Sequence, residues 1–285
     1  MRQKKLTSKQ IFDMIIEEEK NKEKKSKLLI HSCCAPCTSY PMELLDDIFD
    51  ITIYFYNPNI TTRSEFERRI ADEERMIKEM GLKAKLIKGE FLPRTFVNAV
   101  KGYERDFEGG ERCFICYEMR MLEAVKLAKE FEADYFGTVL TISPMKSSEL
   151  INKMGERLGL EYGIKYLPSD FKKDNGFLRS TQLCKEYKLY RQDFCGCPFS
   201  KRETMQFRKE KAARELLQSK IEDLEAKEIL TFEEESMLKE MIKQLDEMTN
   251  KAKENYLYIK QEKSRVTNER IKKEQGKIDD LNKKN

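Results

Sequence analysis

Nowhere in its 285 residues does the chain carry an apolar run approaching the length of a membrane-spanning helix, so no transmembrane segment is expected. Residues 1–27 are charged and lack the apolar core of a secretory signal, which makes a cytoplasmic protein the expectation. Histidine occurs once, at His31, so a metal site built on several imidazoles is excluded. A dominant charge is also lacking: 55 basic residues nearly cancel 51 acidic ones and leave +4. A balance that small neither demands nor excludes nucleic acid as a partner, because phosphates respond to the local field.

Cysteine is what the sequence does have. The organising stretch is Leu28 to Cys37, Leu-Leu-Ile-His-Ser-Cys-Cys-Ala-Pro-Cys, an apolar run that reads as a buried parallel strand ending in three thiols. Cys113 and Cys116 follow in a C-x-x-C, then Cys184 alone, then Cys195 and Cys197 in a C-x-C. A chain of this length can bury a core without staples, and in a reducing compartment clustered thiols are metal ligands or redox groups more often than structural disulfides.

The remaining pattern alternates strands and helices. Thr7 to Lys20 reads as a short amphipathic helix followed by a charged linker. Helices are expected at Tyr40–Phe49, from a capping-box pattern at Thr62 and Glu65 to Gly81, at Phe91–Tyr103, from Cys113 to Glu130, at Lys146–Leu158 and at Thr181–Tyr190. Strands are expected at Ile51–Tyr56, Leu82–Ile87, Ala133–Thr141 and Gly163–Leu167. The alternation argues an α/β protein with a doubly wound, mostly parallel sheet, whose ligand crevice lies at the strands' carboxyl ends. Three segments result: residues 1–27 as helix and linker, 28–200 as the catalytic domain, and 201–285 as a charged helical extension. In that extension Leu217, Ile221 and Leu224, then Leu238, Met241, Leu245 and Met248, form a seam of two helices, the second starting at a capping-box pattern at Thr231 and Glu234. An a/d seam points to packing or oligomerisation, and the final stretch from Lys272 is expected to fray.

Cys113 and Cys116 would open a helix, where the positive dipole end favours thiolates near neutral pH. A structural zinc site and an iron–sulfur cluster both suit soft tetrahedral sulfur. The candidate pairs lie about eighty residues apart, unlike a zinc ribbon, and seven clustered thiols exceed what one tetrahedral ion takes, which favours the cluster with extra redox thiols. A disulfide across Gly196 would close a small, strained ring, so Cys195 and Cys197 are better suited to passing electrons or chelating a metal than to holding the fold. Cys184 has no partner nearby in sequence and reads as a buried small hydrophobe. His31 stands where it could donate a hydrogen bond or a proton, or simply be satisfied by backbone.

These residues sit in five ordered blocks that resemble the QueH family of epoxyqueuosine reductases: His31 to Cys37, Tyr56 to Ile60, Gly109 to Glu118, Thr141 to Pro144, and Leu189 to Cys197. The resemblance implies reduction of epoxyqueuosine to queuosine at the wobble position of tRNA, the last step of queuosine synthesis, without cobalamin. It implies a [4Fe-4S] cluster on Cys33, Cys34, Cys113 and Cys116, with Cys195 and Cys197 as a redox-active pair. Neighbouring side chains on a strand point to opposite faces, so Cys33 and Cys34 reach one cluster only if the chain turns there; otherwise one of them, or Cys37, serves a second, mononuclear iron. The implied fold is Rossmann-like of the HUP type, shared with tRNA-thiolating enzymes and adenine-nucleotide hydrolases. The glycine-rich phosphate loop of those nucleotide binders is replaced here by Ser32 to Cys37, which ranks an ATP-dependent tRNA-modifying enzyme below the reductase; a non-catalytic zinc–thiolate module is the other alternative. Implied partners are tRNA with a GUN anticodon and an electron donor that the sequence does not identify. Arg63, Arg68, Arg69, Lys146, Lys172, Lys173, Arg179 and Arg191 are candidate RNA contacts, and His31 or Asp193 a candidate proton donor.

Overall fold

The computed structural model describes residues 6–284. Five strands, β1 (Lys27–Ser32), β2 (Asp50–Phe55), β3 (Lys85–Lys88), β4 (Tyr135–Thr138) and β5 (Lys165–Tyr166), form one sheet in the order β3-β2-β1-β4-β5. Every pairing is parallel, with Ile30 opposite Ile53 on one side and Gly137 on the other. This is the Rossmann-like arrangement, and the strand order reverses between β1 and β4, the switch point at which a crevice opens. β1 is buried from Leu28 onward because it is central and covered on both faces, which is why it reads as a continuous apolar run.

Helices α2 (Ala35–Leu45) and α5 (Glu111–Glu130) both pack on β1. The first is joined by α3 (Arg63–Glu79) and α7 (Gly176–Glu186), the second by α6 (Ser148–Tyr162). Two short or peripheral helices complete the body, α1 (Ser8–Lys20) and α4 (Pro93–Ala99). Leu29, Ile30, Met42, Leu45, Ala124 and Phe136 are among the residues that close the core, and each large side chain so buried is worth about 1.5–3 kcal/mol.

Several boundaries differ from expectation in ways that matter for the site. α2 begins at Ala35 rather than near Tyr40, because Pro36 occupies the first turn, where its missing N–H would have had no partner anyway. β4 ends at Thr138 and passes into a 3-10 turn over Val139–Ile142, since the Thr138 hydroxyl accepts from the Leu140 amide at 3.2 Å and turns the chain out of the sheet. α7 ends at Glu186, and Lys188 follows with φ 50, so Leu189 to Cys197 is irregular chain. Thr62 precedes α3 but makes no capping hydrogen bond, and the reciprocal arm of the box is missing because the Glu65 carboxylate is taken by Arg69 at 2.7 Å and Tyr190 at 3.0 Å.

The extension is a pair of helices, α8 (Pro198–Glu225) and α9 (Phe232–Lys284), with Thr231 and Glu234 forming the reciprocal cap. α9 has 53 residues, about 80 Å of helix, so it runs past α8 and lays its second half on α6. There Glu274 and Ile278 are buried, and Arg157 reaches Glu274 at 2.6 Å. The stretch from Lys272 to Lys284 is therefore docked and helical rather than frayed; Asn285 lies outside the described residues. Among the described residues no helix is long and apolar enough to cross a membrane.

Candidate metal and redox centre

The strand β1 stops at Ser32, and Cys34 caps α2 with an extended backbone (φ 179, ψ 155). The chain bends at Cys33, between strand and helix, and the sulfurs of the two neighbouring cysteines converge to 3.9 Å instead of pointing to opposite faces. The first turn of α2 adds Cys37, and the three Sγ atoms all lie within 4.8 Å of one another. Hydrogen bonds from the Cys34 and Cys37 thiols hold Cys33 well below the usual thiol range, while the same sharing pushes Cys34 and Cys37 up. The trio thus concentrates one negative charge on Cys33.

Beneath it lies a hydroxyl chain. Ser32 Oγ is 2.6 Å from Glu73 Oε1 and 2.7 Å from Thr38 Oγ1, and Thr38 Oγ1 donates to the Cys34 carbonyl at 3.1 Å. Burial raises Glu73 to about 8. His31 is fully buried, and burial, seconded by the charge of Arg120, lowers it to about 3. Its ring is neutral at ordinary pH: Nε2–H donates to the Tyr56 carbonyl at 3.1 Å, so Nδ1 accepts from Thr138 Oγ1 at 3.0 Å. Both nitrogens are engaged in tying β1 to its neighbours, which leaves His31 no proton to give.

The facing wall is α5, which the C-x-x-C opens as its spacing requires. Gly110 precedes the helix, and Cys113 Sγ accepts from the Gly109 amide at 3.2 Å. The expectation that both thiols ionise near neutral pH is not met. Burial and the neighbouring thiol charges outweigh the helix end, raising Cys113 and pushing Cys116 up to about 12. A cation is what would let such thiols ionise.

The third group is Cys195-Gly196-Cys197, on the irregular chain before α8. Cys197 packs in a small apolar cluster with Cys116, Phe96 and Val100, and its Sγ accepts from the Ser200 amide at 3.3 Å. Cys195 is half-buried; its amide donates to Ser200 Oγ at 3.0 Å and its carbonyl accepts from Asn59 at 3.2 Å. Gly196 has φ 104, and a Cβ there would meet Ile60 at 3.0 Å and the Arg69 guanidinium at 3.2 Å. Only glycine fits that turn comfortably.

Three cations face the thiols. Arg120 is fully buried and feels Cys116, Cys195 and Cys33; Lys146 feels Cys195, Cys33 and Cys37; Arg69 feels Cys34 and Cys33. Nη2 of both Arg120 and Arg69 is buried without a hydrogen-bond partner. Arg120 is oriented by the Cys116 carbonyl and by Asn57 Oδ1, each at 3.3 Å, and Asn57 in turn donates to the Ser32 carbonyl at 2.9 Å. Buried arginines with spare donors beside buried thiols make a pocket built for a negatively charged thiolate assembly. The donor set fits a soft metal: sulfur bonds of about 2.3 Å place tetrahedral ligands about 3.8 Å apart, the spacing of Cys33 and Cys34, and further thiols stand on the opposite wall.

Cys184 is remote from this centre, in an apolar cluster with Ala35, Met76 and Leu189. Asp193 is exposed and paired with Arg208 rather than facing the thiols. Of the eight basic residues considered for RNA, Arg63 pairs with Glu67 and Lys173 with Asp170, while Arg68 and Arg191 line one hollow. Arg69 and Lys146 turn inward, Arg179 is held by Glu43 and Lys172 by Asp170, and Arg68 and Arg191 lie over the rings of Tyr190 and Phe177. Arg120 and Glu73 escape a sequence reading, although a charge four residues after Cys116 on an otherwise apolar helix face is a usable signal for the first.

A family model described as Epoxyqueuosine reductase QueH matches residues 28–203. The Epoxyqueuosine reductase QueH of Staphylococcus epidermidis is 40% identical over 206 residues, covering 70% of this chain and 87% of that one. The protein of the same name from Streptococcus pyogenes serotype M1 is 41% identical over 177 residues, 61% of this chain and 69% of its own. Among solved structures, the U34-tRNA thiolase NcsA from Methanococcus maripaludis with its [4Fe-4S] cluster is similar over 68% of each chain, at 11% identity and a TM-score of 0.41. The family match runs from the first residues of β1 through the C-x-C segment and so takes in every element that carries a thiol of the centre: this chain belongs to the QueH family of epoxyqueuosine reductases.

Proposed function

We propose that the chain reduces epoxyqueuosine to queuosine at the wobble position of tRNA, with Cys195 and Cys197 as the redox-active pair and Cys33, Cys34, Cys113 and Cys116 as ligands of a [4Fe-4S] cluster. The observation that carries this reading is the meeting of three separate cysteine groups around Arg120 and Lys146, in a chain whose family is that of epoxyqueuosine reductases. A bound cluster would supply electron relay and Lewis acidity toward the epoxide oxygen. Cys37, within 4.8 Å of both Cys33 and Cys34, stands outside that ligand set and is the thiol left for a second, mononuclear iron.

One turnover balances on the chain's own thiols, and an external two-electron donor resets them. Removing the epoxide oxygen as water takes two electrons and two protons, and leaves a carbon–carbon double bond. Oxidation of the Cys195 and Cys197 thiols to a disulfide releases two of each. The strained ring then favours re-reduction by an external donor. Arg120 and Lys146 hold positive charge where oxygen becomes anionic as the carbon–oxygen bond breaks.

The test is an anaerobic assay of metal-loaded protein with a chemical reductant on epoxyqueuosine-containing tRNA and on the free nucleoside. Cys195→Ser should abolish turnover with iron retained, Cys113→Ser should lose the iron, and Cys184→Ser should change neither. An active Cys195→Ser enzyme would sink the redox pair. Stoichiometric zinc without visible absorption, in protein never exposed to oxygen, would replace the cluster with a zinc–thiolate module.

A further inference from the structure

The C-x-C segment opens onto a groove of about 430 Å³ between Thr61–Thr62 and the first turns of α8, with Cys197 and Gly196 at its base. Phe194 forms one wall. The other is a single helix face on which Lys201, Met205 and Lys209 recur every four residues. From Pro198 to Arg214 the chain has six basic residues (Lys201, Arg202, Arg208, Lys209, Lys211, Arg214) and two acidic ones (Glu203, Glu210). Glu203 is taken by Arg112 at 2.6 Å; of the six cations Arg208 is paired with Asp193 and Lys211 with Glu215, the residue after Arg214, which leaves Lys201, Arg202, Lys209 and Arg214 without an ion pair among the described residues. Among the described residues neither Lys201 nor Lys209 forms an ion pair, and both are exposed. A protein of net charge +4 thus keeps an uncompensated positive strip beside its redox thiols.

The strip is not explained by packing. The buried seam of α8 comes later, at Ile221 and Leu224, whereas Met205 and Phe207 are half or more exposed. Lys201 to Lys209 spans about 12 Å of helix, the axial rise of three to four phosphates in a stacked strand. Phe194, with Lys201 Nζ 5.8 Å from its ring centre, offers a face on which a base can stack, and the threonine hydroxyls offer polar contacts. A second basic hollow, lined by Arg68, Arg75, Lys188 and Arg191, is a poorer candidate: Arg75 is already bound by Asp72 and Glu79, and the hollow borders no cysteine of the centre.

We propose that this groove is the docking track for the anticodon strand of the tRNA: Lys201 and Lys209 contact its phosphates, and the reacting nucleotide turns in over Phe194 toward Cys195 and Cys197. The assignment rests on the proposed reductase reading for the identity of the RNA. It gives the first turns of α8, which run past the end of the matched residues at 203, a role in substrate capture.

The experiment measures binding rather than turnover. Wild type, the double variant Lys201→Ala/Lys209→Ala and the control Lys188→Ala/Arg191→Ala are titrated, metal-loaded and without oxygen, with unmodified tRNA bearing a GUN anticodon over a salt series. The α8 double variant should bind about tenfold or more weakly, with the slope of log affinity against log salt reduced by about two, while Lys201→Arg/Lys209→Arg keeps both. The control should match wild type. Unchanged affinity and slope in the α8 double variant, or a loss confined to the control, overturns the groove assignment. Absence of tRNA binding by wild type would overturn the RNA-substrate reading itself and the groove with it, a result distinct from the first.

Discussion

Glu73 illustrates how a single proton can be structural. Three hydrogen bonds link Glu73, Ser32, Thr38 and the Cys34 carbonyl, but the two hydroxyls bring only two protons, so a neutral carboxyl supplies the third. That count agrees with burial raising Glu73 from 4.5 to about 8. A raised carboxyl contributes stability that is complete below its unfolded value and is lost as pH rises through the folded one. Wild type should therefore lose a few kcal/mol relative to Glu73→Gln between pH 4.5 and 8, because the amide keeps a donor without titrating. Denaturant midpoints at several pH values check this; parallel curves for the two proteins would refute the neutral carboxyl. At Gly196 the constraint is steric. Its φ of 104 and the 3.0 Å approach to Ile60 predict that Gly196→Ala costs about 1–3 kcal/mol and disturbs the thiol pair. Gly81, at φ 66 with open space around a Cβ, should cost about 1 kcal/mol when changed to Ala. Equal losses at the two positions would remove the close-packing argument.

At the scale of elements, α9 is attached by charge as much as by apolar contact. Arg157 meets Glu274 at 2.6 Å, Glu161 at 2.8 Å and Glu118 at 2.5 Å, and Arg270 binds Glu118 at 2.6 Å. Arg157→Met would leave Glu274, which is fully buried, with weaker partners in Arg270 and Lys277. The expected loss is about 2–3 kcal/mol, below the usual cost of breaking a buried pair because those two cations remain. Hydrogen exchange should quicken in residues 260–284 and stay slow in β1; a uniform rise would mean that the helix does not dock as a separate unit. The sequence made the central elements legible because β1, α5 and α3 carry long, unbroken patterns. It misplaced those whose ends are decided by a few contacts: β4 is cut short by one threonine hydroxyl, α2 is extended by a proline in its first turn, and the end of α9 is held by ion pairs of Arg270 with α5 and of Glu274 with α6 that no periodicity reveals.

At the scale of the molecule, the thiols were legible as groups but their meeting was not, since Cys33 and Cys197 lie at opposite ends of the matched segment and only the strand order brings them together. Arg120 stayed hidden for the same reason: its value depends on Cys33, Cys116 and Cys195 sharing one crevice. This dispersal has a thermodynamic consequence. An unfolded chain cannot present sulfurs from the segment after β1 and from α5 to one metal centre, so metal binding favours the folded state by RT ln(1 + [M]/Kd), about 4 kcal/mol at a thousandfold excess over Kd. In a protein of this size that corresponds to a rise of roughly 10 °C in Tm. Calorimetry of anaerobic, metal-loaded protein against the same protein stripped by chelation should show that difference. Cys113→Ser, which should lose the iron, should abolish it, whereas Cys184→Ser, in its separate cluster with Met76 and Leu189, should leave it intact. Coincident transitions for loaded and stripped wild type would mean that no metal bridges the cysteines after β1 to those of α5.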